Sequence, residues 1–439
     1  MTIRTVNPYT DKVISEYKED SLEDVKEKFN NVRKNQEEWR KDLDARIDYL
    51  RNILKPSLER NLNRIASSMT EEMGKPISQS IAEVKKCINL VDHAIENFPR
   101  FLEHDVIRTD ARKSYVRFDP LGVIELIMPW NYPLWQVFRA AIPAMTLGNG
   151  IVLKHASIVS GTSKLMEEVM ESDVFTSVIA RGQTALDAIR FSNGVSFTGS
   201  TGVGQKIAET AGRELKKVVL ELGGSDPFIV LNSADPAKAA KNATLGRMQN
   251  NGQSCIASKR FIVQDKIYDE FYARLREEFS ELAIGDPSHE KTFLGPLSSR
   301  EQAETVRGQI RELKSAGDVE ILSQEKGNIV PPVIASPEKP FVDEVFGPVA
   351  ILKKFSNVEE GVKIANETPY GLGSSIWGNA DEAEELAPLI ESGMVFINKI
   401  TASDPRVPFG GVKKSGLGRE LSRYGLLEFA NIRTVWIQE

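Results

Sequence analysis

Cys255 is the residue of this chain that is best suited to act as a nucleophile. It ends a run of small and polar residues, 250–255, between a helical stretch and the apolar strand predicted at residues 260–263. This pattern predicts a thiol on a turn, where a substrate could reach it. The alternative is a small cysteine that fills space in the core, since free cysteine is among the most buried residue types.

Glu221 and Asn131 would supply the other groups that acyl transfer through a thiol needs. Glu221 ends a buried strand beside two glycines, where burial would raise the pKa of its carboxyl and favour a general base. Asn131 follows another strand, and its amide could donate to a developing oxyanion. An ion pair of Glu221 with a lysine and a simple turn role for Asn131 are the alternatives. No histidine flanks Cys255, so a hydrolase of the cysteine–histidine type is disfavoured.

A glycine-rich turn could bind an anion. Residues 197–204, FTGSTGVG, follow a predicted strand and open a predicted helix, so their backbone N–H groups would suit a phosphate. The spacing differs from the ordinary dinucleotide fingerprint, and a plain glycine-rich turn is the alternative.

The secondary structure predicted for the chain changes from helices in the first quarter to alternating strands and helices after it. Residues 21–102 show apolar side chains at helical spacing, and Cys87 lies near their apolar stripe, which predicts a core position. From residue 113 onward, apolar runs such as 123–128 alternate with helical stretches, which indicates a parallel sheet covered by helices. A strand predicted at residues 433–438 has no partner in its own unit, which suggests an arm that pairs in an oligomer.

Composition excludes several classes of protein. A chain of 439 residues predicts two or three domains. Its net charge of −6 offers no broad basic surface for nucleic acid. Two cysteines are too few for a disulfide framework, and the four histidines show no paired spacing for a metal. No apolar run approaches the roughly 18 residues of a membrane span, and the N-terminus lacks a signal-peptide pattern, so a cytoplasmic protein is expected.

The motifs, taken in order, resemble those of the aldehyde dehydrogenases. Their order and approximate spacing match that family along nearly the whole chain, and several segments resemble the branch that contains succinate-semialdehyde dehydrogenases. The matching set is PWNYP at 129–133, Lys154, FTGSTGVG at 197–204, LELGG at 220–224, GQSC at 252–255, EVFGP at 344–348 and PFGGVKKSGLGRE at 408–420.

The resemblance implies a catalytic role for each matching residue. Cys255 would attack the aldehyde to form a thiohemiacetal, which oxidation converts to a thioester. Glu221 would activate the hydrolytic water, while Asn131 and the backbone N–H of Cys255 would hold the oxyanion. Glu420 matches a second carboxylate that is sometimes placed in a proton relay, although a surface ion pair fits equally well.

The resemblance also implies a nicotinamide cofactor. NAD-preferring relatives carry a glutamate three residues after the strand lysine, whereas this chain has Ser157 there. Without that carboxylate a 2′-phosphate is not repelled, so we expect NADP to be accepted, with NAD as the alternative. The stretch from Lys154 to Gly199 is also several residues shorter than in most relatives. The implied cofactor-binding residues are Trp130, Lys154, Ser157, Gly199, Ser200, Glu344 and Phe346.

The resemblance further implies a terminal carboxylate on the substrate. Arg139 lies eight residues after Asn131 on the helix that lines the substrate tunnel in this family, where it resembles a carboxylate clamp. A helix-surface arginine or a structural ion pair are its alternatives. Ser403 matches a substrate-contacting position, and Trp135 could form a wall of the channel. Arg247 and Arg406 are further candidate cationic partners of the substrate, and Phe409 could form a further wall of the channel.

The fold class implied is α/β, with a Rossmann-type cofactor domain, an α/β catalytic domain and a small β oligomerisation arm. We assign residues 1–102 and 121–222 to the first, 223–421 to the second, and 103–120 with 422–439 to the arm of a homo-dimer or homo-tetramer. The expected activity is oxidation of succinate semialdehyde to succinate. The rivals are oxidation of glutarate semialdehyde or a neutral aldehyde, a CoA-acylating enzyme, and a non-catalytic protein on the same fold.

Overall fold

The computed structural model describes residues 2–439, which form helices and strands in alternation after a helical first quarter. The strands, in chain order, are β1 Thr2–Val6, β2 Val13–Lys18, β3 Asp105–Val106, β4 Lys113–Pro120, β5 Val123–Met128, β6 Gly150–His155, β7 Phe175–Val178, β8 Gly194–Thr198, β9 Lys217–Glu221, β10 Asp226–Val230, β11 Ser258–Gln264, β12 Gly317–Ile321, β13 Val333–Pro337, β14 Val349–Phe355, β15 Tyr370–Gly371, β16 Gly373–Trp377, β17 Met394–Ile397, β18 Val412–Lys413, β19 Gly416–Leu417 and β20 Ala430–Ile437. The α-helices are α1 Leu22–Trp39, α2 Leu43–Tyr49, α3 Lys55–Met73, α4 Ile77–Phe101, α5 Pro133–Leu147, α6 Ser160–Met170, α7 Gly182–Ala188, α8 Thr201–Arg213, α9 Pro236–Met248, α10 Tyr268–Ser280, α11 Arg300–Ala316, α12 Val358–Asn366, α13 Ala380–Leu386 and α14 Ser422–Leu426.

A six-stranded sheet in the order β19-β9-β8-β5-β6-β7 is built around the fully buried β5. Its strands are parallel except for β19. The chain runs outward from β5 through β6 to β7, and then returns to the other side of β5 as β8 and β9. Strand order therefore reverses between β5 and β8, and ligands of open parallel sheets bind at the carboxyl end of such a switch point.

A seven-stranded sheet in the order β12-β13-β14-β11-β10-β16-β17 forms the second unit and is parallel from β13 onward. We did not expect β12, β13 or β16 from the sequence. Strand β16, next to the edge strand β17, reads Gly-Ser-Ser-Ile-Trp. Its small polar residues give no apolar run, although all five residues are buried. The alternating pattern nevertheless predicts the α/β class correctly.

A third sheet joins β20, β4 and β3. Residues 430–437 pair antiparallel with residues 113–120 along their whole length. The prediction that the last strand has no partner in its own unit is therefore wrong, because it pairs with β4, which lies in the segment assigned to the same arm. The domain boundaries, and the role of this sheet in joining subunits, stay predictions.

The first helices fix the position of α5. Lys75 and Glu83 form a fully buried ion pair, and the other oxygen of Glu83 accepts the N–H groups of Leu134 and Trp135 at 2.9 Å. The carboxylate thus satisfies first-turn N–H groups of α5 that have no partner inside the helix. Cys87 is completely buried in the core beside these helices, as predicted. Within residues 2–439, no helix is long and apolar enough to cross a membrane.

Candidate active site

The turn before Cys255 has an unusual backbone. Asn250, Asn251 and Gly252 all have positive φ angles, of 54°, 58° and 74°. Asparagine and glycine are the residues that tolerate this left-handed region best. A Cβ atom at position 252 would lie 2.5 Å from the carbonyl carbon of Gly347, so only glycine fits there.

Hydrogen bonds from distant segments hold this turn. Asn251 uses its whole amide, because Nδ2 donates to the carbonyls of Gly74 at 3.0 Å and Pro296 at 2.8 Å while Oδ1 accepts the N–H of Gly295 at 2.7 Å. Arg247 is fully buried and donates to the carbonyl of Val345 at 2.9 Å. Arg247 therefore supports the turn instead of lining a substrate cavity.

Cys255 lies where two cavities meet. The first cavity has a volume of about 280 Å³ and the second about 270 Å³, and both are lined by Cys255 and Gln136. Burial raises the pKa of the Cys255 thiol to about 12, although Arg139 and Lys259 act in the opposite direction. The sulfur is therefore protonated at neutral pH in this arrangement, and each cavity offers a separate approach to it.

The second cavity brings together most of the predicted cofactor residues, and it opens at the switch point between β5 and β8. The rings of Trp130 and Phe346 meet edge to face, with centroids 5.7 Å apart. Ser200 is the N-cap of α8 without a side-chain cap, which leaves first-turn N–H groups free for an anion. Its lining includes the predicted residues Trp130, Asn131, Gly199, Ser200, Glu344 and Phe346.

Lys154 and Ser157 lie outside this lining, at the carboxyl end of the neighbouring strand β6. Lys154 is paired in the sheet with Ile127 of β5, and Ser157 opens the short helix that follows. Burial lowers the pKa of Lys154, and the nearby Glu125 opposes that shift. Among residues 2–439, no carboxylate lies within ion-pair distance of the Lys154 ammonium.

Glu344 is held beside the cysteine turn by a lysine that the sequence analysis missed. Lys259 is buried, lies 3.1 Å from Glu344, and donates to the carbonyls of Ser254 at 2.9 Å and Cys255 at 2.7 Å. Lys259 thus connects Glu344, a predicted cofactor-binding residue, to the backbone of Cys255. The available signal was the place of Lys259 at the start of β11, directly before Arg260 and the apolar residues 261–263.

Asn131 and the backbone of Cys255 both have a free donor. The Asn131 amide donates to the carbonyl of Gln253 at 3.1 Å, which leaves its second N–H unused. In the described part of the chain, no acceptor is found for the backbone N–H of Cys255. Two donors are therefore available next to the sulfur.

Glu221 is buried and has no hydrogen-bond partner for either carboxyl oxygen within residues 2–439. Burial, and then the neighbouring Glu420, raise the pKa of its carboxyl well above the ordinary value. The side chain does not line either cavity; it lies against Gly410, where a Cβ would come within 2.8 Å of Oε1. A base role therefore requires Glu221 to turn toward the sulfur.

Arg139 lines the first cavity but already has an anionic partner. Its guanidinium forms a buried ion pair with Glu420, lies 4.5 Å over the ring of Phe409 and is 3.3 Å from Thr198 Oγ1. Arg139 is only 2% exposed and Glu420 3%, so neither is a surface residue. The structural ion pair considered as an alternative for Arg139 is present.

The first cavity also contains the predicted Trp135, Ser403 and Phe409. Lys86 is an unpredicted member, whose ammonium donates to Ser403 Oγ at 2.5 Å and lies 4.1 Å from the centre of the Trp135 ring. Burial lowers the pKa of Lys86 to about 8. Arg406 lies outside this lining and is paired with Asp404 at 2.6 Å on the surface.

Comparison with known proteins gives consistent matches along the whole chain. A model of the aldehyde dehydrogenase family matches residues 1–435. The probable NADP-dependent succinate-semialdehyde dehydrogenase of Synechocystis sp. is 41% identical over 456 aligned residues, with 100% of both chains covered. The NAD(P)-dependent succinate semialdehyde dehydrogenase Sad of Escherichia coli is 39% identical, covering 98% of this chain and 97% of its own. The succinic semialdehyde dehydrogenase of Streptococcus pyogenes, solved in complex with NADP⁺, superposes with a TM-score of 0.96 at 35% identity, with both chains fully covered.

Proposed function

The chain belongs to the aldehyde dehydrogenase family, and on that premise we propose that it oxidises succinate semialdehyde to succinate with NADP, using Cys255 as the nucleophile. The observation that carries the proposal is the position of Cys255 between two cavities. One cavity holds the side chains expected to bind a nicotinamide cofactor. The other holds two cationic side chains that suit an acidic aldehyde.

The first step would form a bond between the Cys255 sulfur and the aldehyde carbon. The thiol proton passes to a base, for which Glu221 is the candidate once it has turned toward the sulfur, and the carbonyl oxygen becomes an oxyanion. The free N–H of Asn131 and the backbone N–H of Cys255 are the donors in reach of that charge. Because the thiol has a raised pKa when the cavities are empty, binding must bring positive charge close to the sulfur or place a base beside it.

Trp130, Gly199, Ser200, Glu344 and Phe346 would hold the cofactor in the second cavity. The lining fits such a ligand because it combines aromatic rings, a carboxylate for ribose hydroxyls and the uncapped N-terminus of α8. When bound, a nicotinamide ring supplies the acceptor for the hydride that leaves the aldehyde carbon.

Hydrolysis of the resulting thioester is assigned to Glu221. A buried carboxyl with a raised pKa and no partner is suited to take a proton from water. Water oxygen would bond to the acyl carbon, the carbon–sulfur bond would break, and the acid would be released. Glu221 must turn away from Gly410 for this step.

NADP is favoured over NAD by the residues at the end of β6. Lys154 offers a positive charge without a paired carboxylate, and Ser157 stands where an acid would repel a 2′-phosphate. The NADP-dependent relatives agree with this choice. Glu125 is close enough to influence the pKa of Lys154, but it does not pair with it directly.

The test is the rate of reduced cofactor formation at 340 nm with succinate semialdehyde and with pentanal, each run with NADP and NAD. We expect the highest kcat/KM with succinate semialdehyde and NADP. Product analysis with and without CoA separates hydrolysis from acyl transfer to CoA. Better use of NAD at low concentration would contradict the cofactor proposal, and better use of pentanal would contradict the substrate proposal.

The two cysteines provide a matched control for the nucleophile. Cys255→Ala should abolish oxidation, whereas Cys87→Ala, at a buried core position that lines neither cavity, should keep it. Mass spectrometry after iodoacetamide treatment should find the label on Cys255. Activity that survives in Cys255→Ala would reject the mechanism.

A further inference from the structure

Lys86 is a cation without an anionic partner in the first cavity. It lies on α4, and within the described part of the chain no carboxylate is within ion-pair distance of its ammonium. Its hydrogen bond goes to the neutral hydroxyl of Ser403, and its other close contact is the ring of Trp135. A charge that is partly removed from water is normally paired with a counter-charge, and Lys86 has only the neutral Ser403 hydroxyl in that place.

Arg139 differs from Lys86 in this respect. Its guanidinium is bound to Glu420 and covers the ring of Phe409. A substrate carboxylate that bound Arg139 would have to share it with Glu420, and two carboxylates at one cation repel each other. Lys86 offers three donors, of which Ser403 takes one.

We propose that Lys86, together with the hydroxyl of Ser403, binds the terminal carboxylate of the substrate and so selects short aldehydes that carry a carboxylate at the far end. Ser403 accepts from Lys86 and can donate its own proton to a carboxylate oxygen. Trp135 forms the apolar wall against which the lysine lies. Arg139 then acts mainly by holding Glu420, and its charge adds to the positive field of the cavity.

The proposal rests on the proposed oxidation of an acidic aldehyde and names the residue that recognises the acid. The lining also contains the charged residues Glu83 and Arg139. Each of these already has a partner of opposite charge, Lys75 and Glu420, whereas Lys86 has none among residues 2–439. A neutral aldehyde of the same length would leave the ammonium unpaired, so its binding would gain nothing from Lys86.

The deciding experiment compares Lys86→Met with Lys86→Arg and the unaltered enzyme. Methionine keeps a chain of similar length and removes the charge, whereas arginine keeps the charge. For Lys86→Met we expect kcat/KM with succinate semialdehyde to fall about 10- to 100-fold, the range of a hydrogen bond between charged groups. The loss should lie mainly in KM, pentanal should change less than about threefold, and Lys86→Arg should regain part of the loss.

A binding measurement gives a second readout that does not depend on turnover. Calorimetric titration of succinate into Cys255→Ala should give a Kd about tenfold or more tighter than in Cys255→Ala/Lys86→Met. Equal losses on both aldehydes, or an unchanged succinate Kd, would overturn the proposal. If the unaltered enzyme does not prefer succinate semialdehyde, the proposed substrate fails, and the succinate titration alone then decides whether Lys86 forms an anion site.

Discussion

Replacing Arg139 with methionine tests how its positive charge offsets the two buried carboxyls of Glu221 and Glu420. The guanidinium is the cation paired with the buried Glu420, and its charge also opposes the rise in the pKa of Glu221. Methionine fills much of the same space without the charge. Two buried carboxyls would then remain with no cation paired to either.

The expected cost is large because the pair is almost fully removed from water, with 2% and 4% of the two side chains exposed. Removing one partner of such a pair destabilises a protein by about 3–5 kcal/mol. For a unit of roughly 200 residues, this corresponds to a Tm lower by roughly 6–20 °C. The matched variant Arg139→Met/Glu420→Gln removes both charges and should recover most of the loss.

The effect should depend on pH. Burial raises the pKa of Glu420 in the folded chain, and loss of Arg139 would raise it further. A carboxyl whose folded pKa exceeds its unfolded value stabilises the fold fully below the unfolded value, and this stability is lost as pH rises through the folded value. The Tm deficit of Arg139→Met, measured by scanning fluorimetry, should therefore grow between pH 5.5 and pH 8. A Tm within about 2 °C of the unaltered protein at pH 8, or a double variant no more stable than the single, would refute this reasoning.

Three other outcomes follow from the same structure. Ser157→Glu should weaken NADP about 10-fold or more in a fluorescence titration by adding a like charge near the 2′-phosphate, and unchanged NADP affinity would contradict the predicted contact. Gly252→Ala should abolish activity and lower the Tm, since its Cβ would lie 2.5 Å from the Gly347 carbonyl carbon at a positive φ; a fully active variant would contradict the fixed turn. Burial lowers the pKa of Lys86 to about 8, so the ratio of kcat/KM for succinate semialdehyde to that for pentanal should fall above pH 8. A ratio that stays constant with pH would contradict the proposed role of Lys86 in binding the carboxylate. The charged and titratable groups around that lysine are Lys75, Glu83, Cys87 and Arg139.

The spacing of apolar residues in the sequence predicted the strands and helices that carry a continuous apolar run or an apolar face. The run at residues 123–128 coincides with β5, and Cys87 lies in the core as its helical position indicates. The strand at residues 373–377 was missed because glycine and serine carry no strand signal, although neighbours on both sides bury it. Its pairing is determined by the sheet and not by its own composition.

The site was predictable where a motif places a residue on a strand end, and less so where distant segments meet. Asn131 and Ser200 follow the carboxyl ends of β5 and β8, and they line one cavity together with Glu344 and Cys255. Glu344 and Cys255 lie in the segments that lead into β14 and β11. The pairing of Arg139 with Glu420 depends on how α5 packs against the loop before α14, which no local pattern contains. Lys86 was missed because a charged residue on an amphipathic helix ordinarily faces solvent.

The position of Cys255 between its two cavities also affects the order of kinetic events. An acyl group attached to the sulfur would extend into the cavity lined by Lys86 and Ser403 and leave the opposite side free. Reduced cofactor could then leave, and oxidised cofactor replace it, while the acyl group is still attached to the sulfur. Reduced cofactor and carboxylic acid therefore need not be released in a single order. A dead-end dicarboxylate should accordingly compete with the aldehyde in steady-state kinetics and show a noncompetitive pattern against the cofactor.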